Sequence, residues 1–242
     1  MSSNSMTNFR PMLSFFSLLI ATLVAGVDVH AENSALHEFN FSGEPTRTAY
    51  EWLTVSDFSL ERHADNPDRI EFYHKDEALH LRVKKPSFGM AVHELDIPSA
   101  RHLELLWGVS DFPEGASYEH GVDNEAIMLY VFFGHERQPS GEIFVPDSPY
   151  FIGFYLCPKG ADDVNEPYAG HHYKKTGRYI CVEHPAEGET IVSRIDLEEE
   201  FRRSFDKPYV PVVSGVSIEV DTTGSGNDGH AAAFIRRLAF YP

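Results

Sequence analysis

Val216, Ile218 and Val220 alternate with Ser217 and Glu219, the two-residue period of a half-buried β-strand. A polar, glycine-rich turn runs from Asp221 to Gly229, and Ala231 to Tyr241 is apolar again. A closing stretch this apolar belongs inside a sheet, because a chain end left outside would expose several large side chains. The same period recurs upstream. Leu79, Leu81 and Val83 alternate with His80, Arg82 and Lys84, and Leu103, Leu105 and Trp107 alternate with His102 and Glu104. Leu36 to Phe41, Ile70 with Phe72, Tyr179 to Val182 and Thr190 to Ile195 are shorter strand candidates, and Met90 to Leu95 is a weaker one. Ala126 to Phe133 and Tyr150 to Leu156 are near-continuous apolar runs, as central strands covered on both faces require. Tyr50 to Val55, with Trp52, reads as a strand or an aromatic plug.

One segment has helical period. Leu197, Phe201 and Phe205 form an i, i+4, i+8 stripe, with Asp196 as cap and Glu199 three residues later. Glu198 to Glu200 stand at the positive end of its dipole, and Lys207-Pro208 ends it. The prediction is an all-β chain: an antiparallel β-sandwich of jelly-roll type with one short helix lidding an edge.

The N-terminus departs from this pattern. Arg10 precedes an apolar run from Pro11 to Val27, and Val29-His30-Ala31 offers small residues at the spacing a signal peptidase reads. The expectation is a signal peptide over 1–31, then a single domain over 32–242, periplasmic or secreted, with no membrane span after cleavage. The net charge of −17 disfavours nucleic acid, anionic lipid and polyanions, and suits a neutral glycan, a cation or a basic partner. Cys157 and Cys181 are the two cysteines; in an oxidising compartment they pair, and otherwise they remain two buried thiols.

Candidate chemistry lies in loops. Asp111 to Glu125 carries five carboxylates and His120, and Pro158 to Gly177 carries Asp162, Asp163, Glu166, His171 and His172 among Tyr168 and Tyr173. The second loop is long for a compact domain, which marks it as functional or mobile. Ca²⁺ is the possible cofactor, with Asp221, Asn227 and Asp228 as candidate ligands in the last turn, although none of these clusters has EF-hand spacing.

Leu103–Pro113, Val122–Phe133, Val192–Phe205 and Gly215–Tyr241 follow the order and spacing of an uncharacterised family of exported bacterial proteins, domain of unknown function three-zero-four-seven. Trp107, Asp123 to Glu125, Phe133, Asp196 and Asp221-Thr222 occupy the places of its motifs, and the resemblance implies a single β-rich domain with no established reaction. More broadly, the layout with Ile195-Asp196-Leu197 looks like that of jelly-roll carbohydrate-binding modules, which stack aromatics on sugars. Trp52, Tyr118, Tyr168 and Tyr173 are the candidates for that role.

Tyr173 to Tyr179 also resembles the Y-x-K-x-G-x-Y motif of β-jelly-roll alginate lyases. That likeness implies Tyr179 as acid/base, with His93 as its partner. A two-carboxylate hydrolase is a further option, but no pair stands out among so many acids. The expected function is a non-catalytic domain binding a glycan or an envelope component. The alternatives are a polysaccharide-degrading enzyme, lyase before hydrolase, and a structural envelope protein that binds other proteins. The oligomeric state is not legible.

Overall fold

The computed structural model describes residues 34–43, 46–170, 172–225 and 228–242. The leader pattern over 1–31 lies outside them, as do His171 and Asn227. The elements run β1 (His37–Asn40), α1 (Ala49–Val55), β2 (Ser59–Arg62), β3 (Ile70–Lys75), β4 (Ala78–Val83), β5 (Phe88–Ile97), β6 (His102–Asp111) and β7 (Glu125–Gln138). Then follow β8 (Ser148–Leu156), β9 (Pro167–Ala169), β10 (Gly177–Glu183), β11 (Ile191–Asp196), α2 (Leu197–Phe205), β12 (Val213–Asp221) and β13 (Ala231–Tyr241). No helix among the described residues is long and apolar enough to cross a membrane.

The strands form two sheets packed as a sandwich. The first has the order β11-β6-β13-β4-β3, with β1 also paired to β13. The second has the order β2-β5-β12-β7-β8-β10-β9. All pairings are antiparallel except β8 with β10, which is parallel. The closing strand β13 is central: β6 lies along one edge, and β4 and β1 share the other. This is why its apolar residues are tolerated at the end of the chain. Its register shifts between Ile235 and Arg237, so the inward set passes from Ala233 and Ile235 to Leu238 and Phe240 without leaving the core face.

The core between the sheets holds Trp107, Phe41, Phe133, Phe154, Phe201 and Phe240, all fully buried. Trp107 satisfies its indole by donating from Nε1 to Ser193 Oγ at 3.0 Å. In α2, Leu197 and Phe201 are buried, and Asp196 accepts from the backbone N–H of Glu199 at 2.9 Å.

Among the described residues two helices are present where one was expected. Tyr50–Val55 is helical, not a strand or plug, and a signal for it stands in the sequence. Thr48 and Glu51 form a complete capping box, with Ala49, Trp52 and Leu53 on the buried side at i, i+3, i+4. Trp52 packs between Phe41 and His74.

Cys157 and Cys181 form a disulfide that ties the end of β8 to its neighbour β10, with Cα atoms 5.8 Å apart. It closes a loop of sequence separation 24. By loop entropy, reduction is expected to cost about 3 kcal/mol, or roughly 10 °C in Tm for a domain of this size. Melting with and without reductant checks this; identical curves would mean the strand pairing alone holds the segment.

Candidate functional site: an aromatic and acidic groove

The second sheet has two apolar faces. Leu129, Val131, Ile152, Phe154 and Ile180 face the sandwich core, and the alternate residues Met128, Tyr130, Phe151, Tyr155 and Tyr179 form a separate cluster on the other side. An outer sheet face normally meets water. Here segments 112–124, 139–147 and the described parts of 157–176 (157–170 and 172–176) fold over it and leave a groove of about 570 Å³.

Its floor comes from Met90 on β5, Tyr130 and Phe132 on β7, Phe151 on β8, Tyr179 on β10, and Glu219 with Asp221 on β12. Its walls come from Tyr118 and Asp123, from Phe144 to Pro146, and from His172 with Tyr173. Tyr118 lies nearly parallel on Tyr179, with centroids 4.6 Å apart, and Phe151 meets Tyr130 and Tyr173 edge-on at 5.1 and 5.3 Å. Gly153 makes room for this floor, because a Cβ there would sit 2.2 Å from Met128 Sδ and 2.6 Å from the Tyr130 ring. At the mouth, Phe144 is fully exposed and holds a left-handed backbone, φ +73°, unusual for a bulky residue.

The Tyr118 wall is anchored from below by Asp162, which is 4% exposed. Its Oδ1 accepts from Ser117 Oγ at 2.9 Å and from the Glu119 backbone N–H at 3.0 Å. Its Oδ2 accepts from the Tyr118 backbone N–H at 3.0 Å and from the Tyr155 hydroxyl at 2.7 Å. One buried carboxylate therefore joins two segments 44 residues apart in sequence.

Three further carboxylates gather beneath the aromatics. A register shift in the β7–β12 pairing sets Glu125 opposite Asp221 while Glu219 pairs with Met128, and this turns Glu125 to the outer face. Glu125 and Glu219 are 1% and 3% exposed. The Tyr118 hydroxyl donates to Glu125 Oε2 at 2.5 Å, whereas Glu125 Oε1 and Glu219 Oε2 have no partner among the described residues. Burial pushes the Glu125 carboxyl well above its ordinary range, and the charges of Glu219 and Asp221 push it further. Glu219 is raised well above its range by burial, against a hydrogen bond from the Tyr130 hydroxyl, and Asp221 and Asp123 add to the rise. Asp221 is raised by burial, opposed by the hydroxyl and N–H of Thr223. The site therefore holds protons at a pH where exposed carboxylates have lost theirs.

Of the residues singled out for sugar contact, Tyr118 and Tyr173 line this groove. Tyr168 lies at the edge of the same cluster, its hydroxyl accepting from the Asp163 N–H, and Trp52 is in the core on the far side of the sheet. The lyase pair is not assembled. Tyr179 is 8% exposed beneath Tyr118, while His93 meets Phe39 and Phe58 edge-on on the opposite face of the sheet.

For the metal candidates, no third His, Cys, Asp or Glu among the described residues joins Asp221 and Asp228 at ligand spacing. The group that does have that spacing is Cys157, Cys181 and His184, and its sulfurs are bonded to each other. The sequence alone gives Glu219 and Phe144 no role at a site, and it marks Glu125 only within the Asp123 to Glu125 stretch of the family resemblance. Glu219 read as the solvent-side partner in an alternating strand, and Glu125 as one acid among five.

No family model matches the chain, and no curated protein matches its sequence. Among solved structures, it is similar to the metal-free carbohydrate recognition domain of Emp46p, at 13% identity over 77% of this chain and 88% of that one, with a TM-score of 0.38. The potassium-bound form of that domain matches at 13% identity over 77% and 89%, with the same score. It is also similar to the xyloglucanase domain of NopAA, a type three effector from Sinorhizobium fredii solved with cellobiose, at 9% identity over 86% of this chain and 100% of that one, with a TM-score of 0.41.

Proposed function

We propose that this chain is an exported domain that binds a neutral glycan in the groove on the outer face of its second sheet. The observation that carries the reading is the meeting, in one groove, of aromatic side chains with the carboxyls of Glu219 and Asp221, the former with one oxygen that lacks a partner among the described residues. A sugar ring has an apolar face and a rim of hydroxyls, so it stacks on the former and donates through the latter. Tyr173 and Phe144 offer the platforms, and Glu219 with Asp221 offers acceptors. The net charge of −17 and the acidic floor favour a neutral over an anionic polymer. The disulfide and the leader pattern support a periplasmic or secreted setting.

Electrophoresis of the purified chain through gels containing neutral or anionic polysaccharide tests this. Retardation by at least one neutral polymer is expected, with none by alginate. Tyr173→Ala is expected to weaken retention about tenfold, the equivalent of one lost aromatic contact of about 1–1.5 kcal/mol. Retention on alginate alone, or retention indifferent to Tyr173, would remove the groove from consideration.

A further inference from the structure

We propose that Glu219 and Asp221 form the acid–base pair of a glycoside hydrolase that cleaves a neutral polysaccharide lying in this groove. The inference rests on the glycan-binding reading and adds a reaction to it.

The argument starts from a contrast between buried carboxylates. Asp162 is buried and accepts four hydrogen bonds, which is what a structural carboxylate needs in order to be tolerated. Glu219 is just as buried and lines the groove, yet its Oε2 has no partner among the described residues. Burial opposes its ionisation most, the hydrogen bond from Tyr130 favours it, and the charges of Asp221 and Asp123 oppose it. A glutamine or leucine would pack there at less cost, and a position that breaks this rule next to a cavity is where function is expected. A shared cation does not account for the cluster: Glu125, Glu219 and Asp221 do not bring their oxygens within mutual ligand spacing.

The geometry fits acid–base work. Glu219 and Asp221 are i and i+2 on one strand, so they project from the same face with Cα atoms roughly 6.6 Å apart. Both border the groove, and Glu125 stands behind, opposite Asp221. Asp221 is held in place because Oδ1 accepts from the Thr223 N–H at 2.7 Å and from its hydroxyl at 2.6 Å. Tyr130 bears on Glu219 in the same way. Like charges oppose one another's ionisation, and Glu219 is the buried member of the cluster that borders the groove, which is where an acid that must reach a substrate has to stand.

In the reaction, Glu219 gives its proton to the glycosidic oxygen as the bond from that oxygen to C1 breaks and the electron pair stays on oxygen. Water attacks C1, and Asp221 takes the proton that the water sheds. One proton then passes through solvent from Asp221 to Glu219, restoring both. The balance is one water consumed and one glycosidic bond replaced by two hydroxyl groups.

The purified full chain is incubated with soluble mixed-linkage β-glucan, xylan, galactomannan and amylose, and reducing ends and polymer length are followed. Retardation is measured in gels of the same four polymers. The expected result is that a polymer which retards the protein is also shortened, without the ultraviolet absorbance of an unsaturated product. Glu219→Gln and Asp221→Asn are each expected to slow cleavage about 100-fold or more while still melting cooperatively. If Glu219→Gln does not fold, Asp221→Asn decides alone, since an asparagine Oδ1 still accepts from Thr223. Retardation without new reducing ends overturns the hydrolase and leaves the binding reading standing. Cleavage that survives both substitutions also overturns it. Neither retardation nor cleavage on any of the four overturns both.

Discussion

Asp162→Ala is expected to destabilise the protein by about 3–5 kcal/mol, because several buried donors lose a charged acceptor at once. The N–H groups of Tyr118 and Glu119 and the hydroxyls of Ser117 and Tyr155 all point at this carboxylate. Alanine leaves them buried with nothing to bond. At roughly 2–4 °C per kcal/mol for a domain of this size, the melting temperature should fall by about 10 °C. The loss has a functional side as well, because Asp162 is what holds Tyr118 over Tyr179 and against Glu125. Glycan retention should therefore fall more steeply than stability alone predicts at a temperature where the variant is still folded. The neighbouring Asp163 is exposed, and Asp163→Ala should change stability by less than about 0.5 kcal/mol. Equal melting temperatures for the two variants would show that the loop is held by packing and not by this carboxylate.

A double variant, Glu125→Gln with Glu219→Gln, is expected to be more stable than the natural chain at neutral and alkaline pH, and the gap should grow with pH. The sign follows from linkage. Both carboxyls hold their protons more tightly folded than unfolded, since burial and neighbouring anions raise them. Between the unfolded value, near 4.5, and the raised folded values, folding takes up protons, so each rise in pH opposes it. Their contribution is fully present below about pH 4.5 and is lost as pH climbs towards the folded values. His37, His74 and His80 act in the opposite sense. Burial lowers them, so the stability they contribute is present above about pH 6.5 and is lost as pH falls. They are common to both proteins and cancel in the difference. Thermal melts from pH 4 to 9 should show the two curves converging at the acid end and separating by several degrees at the alkaline end. Parallel curves would mean that the two glutamates ionise in the folded protein as freely as on a surface.

Much of the sandwich is readable without coordinates. The alternation in 79–83, 103–107 and 216–220 and the double-sided apolar runs at 126–133 and 150–156 correspond to β4, β6, β12, β7 and β8. Asp196 and the Leu197, Phe201 stripe correspond to α2. The elements that escape are short ones. The strand β2, Ser-Leu-Glu-Arg, has no period to show, and β9 is three residues beginning with proline. In α1, seven residues are too few for a stripe, although the Thr48–Glu51 box announces it.

The candidate groove divides the same way. Sequence alone determines that Ser217, Glu219 and Asp221 share one face of a strand, that Tyr118 and Tyr173 sit in acid-rich loops, and that two cysteines bracket the longest of those loops. Period two fixes which side chains point together, because successive residues of a strand alternate faces whatever surrounds them. It carries nothing about what lies over a face. Three segments distant in sequence fold back across the second sheet, and Asp162 holds one of them down. That covering converts Glu219 from a solvated strand residue into a buried, proton-holding one, and it sets the groove on one side of the sheet while His93 and Trp52 fall on the other. Burial is a property of the assembled surface, and desolvation, which depends on burial, is therefore decided only when the chain has folded.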